Sequence, residues 1–375
     1  MGDMKIAMVF PFAPSYREPI YQLMDKSFNI DWYFCGNATR NMKIFDYKLL
    51  KHCNLSIKEN HIIGPITYYS GLRNIDFRQY DVVICSGVIR CLSEWWLLQK
   101  VSCHFKGKKL YLWTHGWYGK ESKIQSIIKK IFFRKVDGFL LYGDYARGEM
   151  LKKGFDANKL FVIKNSLDYD KQLELRKGMK SSSIYKEHFE NDNPNIVFVG
   201  RLTAVKKLNQ LIDAVSLLQK KGDAINVTFV GDGEMKQALQ QLVLDKNLEK
   251  FVWFYGASYD ETNNAELIYN ADLCVAPGNI GLTAMHALMF GCPAISHNDY
   301  KWQMPEFEAI KPGVTGDFFE RDNVESLANC ISNWFKSKEN CRENIRQQCY
   351  QEIDNCWNPH YQLSVLKSVL EIGNK

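Results

Sequence analysis

Gly200, Arg201 and Lys206 stand together in the stretch NIVFVGRLTAVKKLNQLIDAV. An apolar run ends in glycine, cations follow, and an amphipathic pattern begins. Glycine at a strand end lets a ligand approach the backbone, and the cations and open N–H groups of a helix start face negative charge. That is the chemistry of an anion site; solvated cations at an ordinary helix start give the same letters. A second strand-to-helix turn, VTFVGDGEMKQAL, carries Gly231 and Gly233. It comes near the dinucleotide fingerprint, but Lys236 takes the place of the third glycine, so it reads as a tight turn lining a ligand site. A third stretch is GNIGLTAMHALMFGCP. Met285, Leu288 and Met289 follow i, i+3, i+4 and should pack on a sheet, while Thr283, His286 and Phe290 fall about 100° round the helix. Gly281 and Leu282 open that helix, so its first N–H groups point at a ligand. His286 is then either a ligand contact or a half-buried histidine bonded to a carbonyl.

Elements of a definite kind must hold these residues. Short apolar runs such as KIAMVF, FNIDWYF, DVVICSG, GFLLYG, NIVFVG, NVTFVGDG and ADLCVAP alternate with helical patterns through the whole chain. That alternation predicts an α/β protein with doubly wound parallel sheets. The 375 residues suggest two domains. Residues 176–195, RKGMKSSSIYKEHFENDNPN, break the rhythm and read as a polar linker. The expected division is an N-terminal Rossmann-like domain over 1–175, a linker over 176–195, and a C-terminal Rossmann-like domain over 196–356. A final helix pattern over 357–375 rejoins the first domain. A ligand is expected at the strand carboxyl ends, in the cleft where the two domains face each other.

Composition narrows the function classes. The chain is 46% hydrophobic and 24% charged, with a formal net charge of +6. That charge suits an anionic ligand or membrane surface and is too small to argue for nucleic acid. The eleven cysteines are scattered without metal spacing and read as reduced core thiols of a cytoplasmic protein. The opening MGDMKIAMVFPF reads as a first strand, not a signal peptide, and no run of about 20 apolar residues offers a membrane span. Residues 117–139 form a basic amphipathic helix pattern. Ile124, Ile127, Ile128, Ile131 and Phe132 make its stripe, and Lys120, Lys123, Lys129, Lys130, Arg134 and Lys135 surround it. Such a helix either turns its stripe into the core or lies on an anionic membrane.

GRLTAVKKLNQLI, VGDGEM, FYGASYD, NADLCVAPGNIGLTAMHALMFGCPAIS and PEFEAIKPGVTG occur in an order and spacing that resemble the second domain of GT-B glycosyltransferases. They are similar to family 4, the glycosyl transferases group 1. LWTHG and LLYGDYARGEMLKKGFDANKLFVIKNSLD resemble its first domain, so the likeness covers most of residues 110–320. The resemblance implies a retaining enzyme that takes sugar from a nucleoside-diphosphate donor. It implies that Arg201 and Lys206 hold the diphosphate and that His115 faces the donor sugar, these three being the catalytic set. Gly200, Gly231, Gly233, Tyr255, Asn279, Ile280, Gly281, Leu282, Thr283, His286 and Glu306 would line the donor site. Tyr16, Arg17 and Glu18, in PFAPSYREP, would line the acceptor side. The family carries two glutamates eight positions apart, and here those positions hold Gly278 and His286, which makes His286 a stand-in for a ribose-binding carboxylate. No metal or other cofactor is expected; the only Asp-x-Asp, Asp168 to Asp170, lies in the interdomain approach. The implied partners are a nucleotide sugar and a glycan or lipid-linked glycan acceptor, in bacterial cell-surface polysaccharide synthesis. The implied place is the cytoplasm, or the inner face of its membrane through residues 117–139. Two other readings compete: a nucleotide-sugar epimerase on the same fold, and a non-catalytic nucleotide-sugar-binding protein.

Overall fold

A computed structural model of the chain describes residues 4–37, 43–104, 107–337 and 341–372. The outermost residues of the expected first domain, 1–3 and 373–375, lie outside the described residues. The chain forms two compact units, one of Met1–Asp168 with Asn358–Lys375 and one of Tyr169–Trp357.

The first unit holds β1 (Lys5–Phe10), β2 (Asn29–Cys35), β3 (Cys53–His61), β4 (Thr67–Ser70), β5 (Val82–Cys85), β6 (Lys109–Thr114), β7 (Gly138–Leu141) and β8 (Leu160–Val162). They form one sheet in the order β4-β3-β2-β1-β5-β6-β7-β8. Only the β3–β4 pair is antiparallel. The central strands are apolar on both faces because helices cover both. Ile6, Met8, Trp32 and Trp113 face one core, and Ala7, Val9, Val83 and Leu112 face the other. The C-terminal helix Pro359–Ile372 returns to this unit and buries Leu366, Val369 and Leu370 in the first of these cores. Gln362 on that helix accepts from the Ser166 hydroxyl (2.6 Å) and donates to the Lys164 carbonyl (3.1 Å), which ties it down.

The second unit holds β9 (Asn195–Val199), β10 (Asn226–Val230), β11 (Val252–Gly256), β12 (Leu273–Val275), β13 (Ala294–His297) and β14 (Gly316–Phe319). Their order is β11-β10-β9-β12-β13-β14, all parallel. The order reverses between β9 and β12, and in an open sheet of this kind ligands bind at the carboxyl ends of the two strands flanking the reversal.

The polar stretch expected as a linker over 176–195 is a correction. It contains the end of a helix, Tyr169–Gly178, and a second helix, Ile184–Phe189, both part of the second unit. Each helix packs through few side chains, which hides it among polar letters. Tyr185 and Phe189 are buried, and the Tyr185 hydroxyl donates to the Leu267 carbonyl at 2.6 Å.

The basic helix is Lys123–Phe133, opened by a capping box between Ser122 and Gln125. Phe132 and Phe133 enter the core, whereas Ile124 is 72% exposed and Ile127, Ile128 and Ile131 are exposed with it. Lys129 departs from its expected place among the surface cations. It is buried, paired with Glu121 at 2.6 Å, and lies over the Trp117 ring. Among the described residues no helix is long and apolar enough to cross a membrane. Six of the eleven cysteines are buried.

Candidate active site

In the second unit, β9 runs into Gly200 and its loop is laced to the loop after β10. The Gly200 amide donates to the Val230 carbonyl (2.9 Å), Leu202 to Asp232 (2.9 Å) and Met235 to Leu202 (2.9 Å). The two backbones touch. A Cβ on Gly231 would stand 1.9 Å from the Gly200 oxygen, and one on Gly233 would stand 2.5 Å from the Leu202 oxygen. Glycine is therefore required at both positions for close approach, as the turn reading of VGDGEM expects.

The β9 loop ends in the short helical turn Ala204–Lys206, after which the helix Leu208–Lys220 begins. The Lys206 ammonium donates to the Asn279 carbonyl (2.7 Å) and to its side-chain oxygen (3.0 Å). The Gly278 amide returns a bond to the Lys206 carbonyl at 2.9 Å. Burial lowers the Lys206 pKa, nearby Glu306 opposes that, and Arg201 adds to it; the result is about 8. Glu306 is 2% exposed. Arg201 is exposed at the mouth of the same loop.

The loop after β12 is framed from behind. Ser296 donates to the Ala276 carbonyl (2.8 Å), and Gln303 donates to the Ser296 hydroxyl (2.7 Å) while accepting from the Ile280 amide (3.0 Å). Gly281, with φ of 56°, turns the chain into the helix Leu282–Met289. The Thr283 hydroxyl donates to the Val199 carbonyl at 3.1 Å and so fixes the helix start against β9. Met285, Leu288 and Met289 are buried, as their spacing requires. Gly200, Arg201, Lys206, Asn279, Ile280, Gly281, Leu282, Thr283 and Glu306 thus gather at the carboxyl ends of β9 and β12. The cations and the free N–H groups of a helix start converge there, an arrangement fitted to a multiply charged anion.

His286 lies one turn into that helix and hydrogen-bonds Glu261 at 2.9 Å. Gln172 donates to the same Glu261 oxygen at 2.7 Å. Burial pushes the Glu261 carboxyl up, but the His286 and Gln172 hydrogen bonds outweigh it and hold it below the usual carboxylate range. Sequence reasoning missed Glu261, Gln303 and Ser296, because no local pattern ties them to the site. Tyr255 is half-buried on the edge strand β11, its ring 5.1 Å from Trp253.

In the first unit, His115 follows β6. Its ring packs 4.7 Å from that of Tyr142 and 5.8 Å from that of Tyr118. Burial, with Arg17 and Lys129 nearby, lowers its pKa to about 4, so the imidazole is neutral at pH 7. Arg17 precedes the helix Glu18–Ser27 and lies over the Trp113 and Tyr142 rings. Tyr16 flanks the guanidinium at 5.8 Å, while Glu18 accepts from Gln22 (3.1 Å).

Two Rossmann-like units, one with an anion-receptive turn at its switch point, define the GT-B fold of glycosyltransferases. The solved structure of Anabaena HepE with UDP matches 98% of this chain and 100% of its own, with a TM-score of 0.71 and 16% identity. The lipopolysaccharide outer core galactosyltransferase WaaB matches 98% of this chain and 99% of its own, with a TM-score of 0.70 and 16% identity. Residues 180–352 match the family Glycosyl transferases group 1. The poly(ribitol-phosphate) alpha-N-acetylglucosaminyltransferase of Staphylococcus aureus is 22% identical over 200 residues, 52% of this chain and 36% of that protein. The alpha-D-kanosaminyltransferase of Streptomyces kanamyceticus is 23% identical over 172 residues, 44% and 43% of the two chains. The matches therefore span less than half the length of these relatives.

Proposed function

We propose that the chain is a retaining glycosyltransferase that moves a sugar from a nucleoside diphosphate to a hydroxyl of a glycan acceptor. The observation that carries the reading is the convergence of Arg201, Lys206 and the Leu282 helix start at the β9–β12 switch point. As the bond from the anomeric carbon to the diphosphate breaks, negative charge grows on the leaving oxygens. The two cations and the helix N–H groups stabilise that charge where it develops. The acceptor oxygen bonds to the same face of the carbon, and its proton passes to the departing phosphate. Neutral His115 orients the sugar by hydrogen bonding. His286, held by Glu261, bonds the ribose. Because the chain itself supplies the positive charge, the reaction needs no divalent metal.

On this reading the acceptor is lipid-linked and the product belongs to bacterial cell-surface polysaccharide. The four exposed isoleucines of the helix Lys123–Phe133, bordered by Lys123, Lys130 and Arg134, support contact with an anionic bilayer. The lipopolysaccharide and poly(ribitol-phosphate) activities in the names of the similar proteins belong to the same setting.

The test is release of nucleoside diphosphate from UDP-, GDP- and dTDP-sugars, with and without EDTA. One donor should turn over in both conditions, and Arg201→Ala should slow it about 10²–10³-fold. No turnover of any donor, or a loss under tenfold in the variant, contradicts the reading. Turnover abolished by EDTA contradicts its metal-free form.

A further inference from the structure

At the carboxyl ends of β1, β6 and β7 the first unit buries three polar atoms that have no hydrogen-bond partner. They are Arg17 Nε, Trp113 Nε1 and His115 Nδ1. The residues pack around the Tyr142 and Trp113 rings. The Arg17 guanidinium lies 5.4 Å from the Trp113 ring and 5.1 Å from the Tyr142 ring, and the His115 ring lies 4.7 Å from that of Tyr142. Trp113 is 2% exposed. The other guanidinium nitrogens donate only to phenols, those of Tyr21 (3.3 Å) and Tyr142. Among the described residues no carboxylate pairs with Arg17.

A cation set among aromatic rings without a counter-charge is costly, and so is a buried N–H without an acceptor. Arginine and indole nitrogens can only donate, and the imidazole donates in its Nδ1–H tautomer. One kind of group satisfies all three at once: an oxyanion. A neutral sugar hydroxyl leaves the charge unmatched.

We propose that Arg17, Trp113 and His115 form an oxyanion subsite that recognises a phosphate or carboxylate group carried by the acceptor. The proposal rests on the reading of this segment as the acceptor side and names the acceptor's chemical class.

The test uses the full chain, with and without saturating UDP, GDP or dTDP, so that the site of Arg201 and Lys206 is filled. Inorganic phosphate and acetate are then titrated calorimetrically; whichever binds tells phosphate from carboxylate. At least one anion should bind the nucleotide-filled protein. Arg17→Met should weaken it at least tenfold, Trp113→Phe severalfold, and Arg201→Met not at all. Trp113→Phe keeps the ring packing, so it decides the matter if Arg17→Met does not fold. Binding that is absent, or unchanged in both variants, overturns the subsite. So does an Arg17→Met variant that weakens the nucleotide as much as the anion, since that puts the donor diphosphate on Arg17. If no nucleotide binds but phosphate or acetate still needs Arg17, the subsite stands and the donor reading falls.

Discussion

The Lys206 ammonium is held 2.7 Å from the main-chain oxygen of Asn279 and 3.0 Å from its side-chain oxygen. One loop thus fixes the cation that follows β9, and the same loop leads into the Leu282 helix start. Positive charge and open N–H groups are set by a single backbone arrangement before any ligand arrives. Such preorganisation is what makes electrostatic stabilisation effective, because no rearrangement is needed as charge develops.

Nucleotide binding should depend on pH through Lys206. Its pKa is lowered to about 8 by burial, with Arg201 adding to the effect against Glu306. A bound diphosphate favours the charged form and raises that value, so binding takes up a proton above pH 8. Affinity should therefore fall as pH rises from about 8 towards 10, by up to about tenfold per pH unit. Calorimetry across this range checks it, and Lys206→Arg should flatten the curve. A flat wild-type curve would count against Lys206 as a diphosphate ligand.

Gly278 should not tolerate a side chain. A Cβ there would stand 2.0 Å from the Val205 oxygen and 2.8 Å from the Lys206 Cα. Gly278→Ala should destabilise the fold by about 1–3 kcal/mol and weaken nucleotide binding as the Lys206 turn shifts. Thermal melts and nucleotide titration measure both. A variant with wild-type melting and affinity would mean that the turn moves freely.

His286 and Glu261 should act as one unit. His286→Ala should raise the donor KM more than it lowers kcat, because ribose contacts bind ground and transition states alike. Glu261→Gln should repeat the pattern, and the double variant should cost less than the sum of the singles. A fall in kcat at constant KM would instead put His286 at the reacting carbon.

Glu94 gives a stability signature of its own. It is fully buried after β5 and accepts from the Ser86 hydroxyl (2.6 Å) and the Val88 amide (2.8 Å). Burial raises its pKa from 4.5 to about 7, against those hydrogen bonds. Between these values the folded chain holds a proton that the unfolded chain releases, so stability falls as pH rises from about 4.5 to 7. Glu94→Gln lacks this loss. Its melting temperature should gain on the wild type between pH 5 and pH 8, whereas a constant difference would show that Glu94 does not titrate there.

Local letters carried the strands, the glycine turns and the cations, because each reflects a short-range need: an apolar run, a close backbone approach, a helix start. The apolar spacing of Met285, Leu288 and Met289 carried the buried face of the helix. The Lys206–Asn279 clamp joins residues 73 positions apart, and the His286–Glu261 pair joins residues 25 apart, so neither appears in any window. The need for glycine at 278 was not legible either, because it comes from the Val205 oxygen, 73 positions earlier in the chain. The isoleucine stripe was visible, but its direction was not. Phe132 and Phe133 take the core and leave the isoleucines outside, and Glu121 draws Lys129 inward.

The central claim is that the β9–β12 switch point holds a nucleoside diphosphate. The most direct test is calorimetric titration of UDP, GDP and dTDP into the wild type and Arg201→Met. The account predicts that at least one nucleotide binds the wild type and binds the variant at least tenfold more weakly. Equal affinity in the two proteins, or no binding of any nucleotide to the wild type, would contradict it.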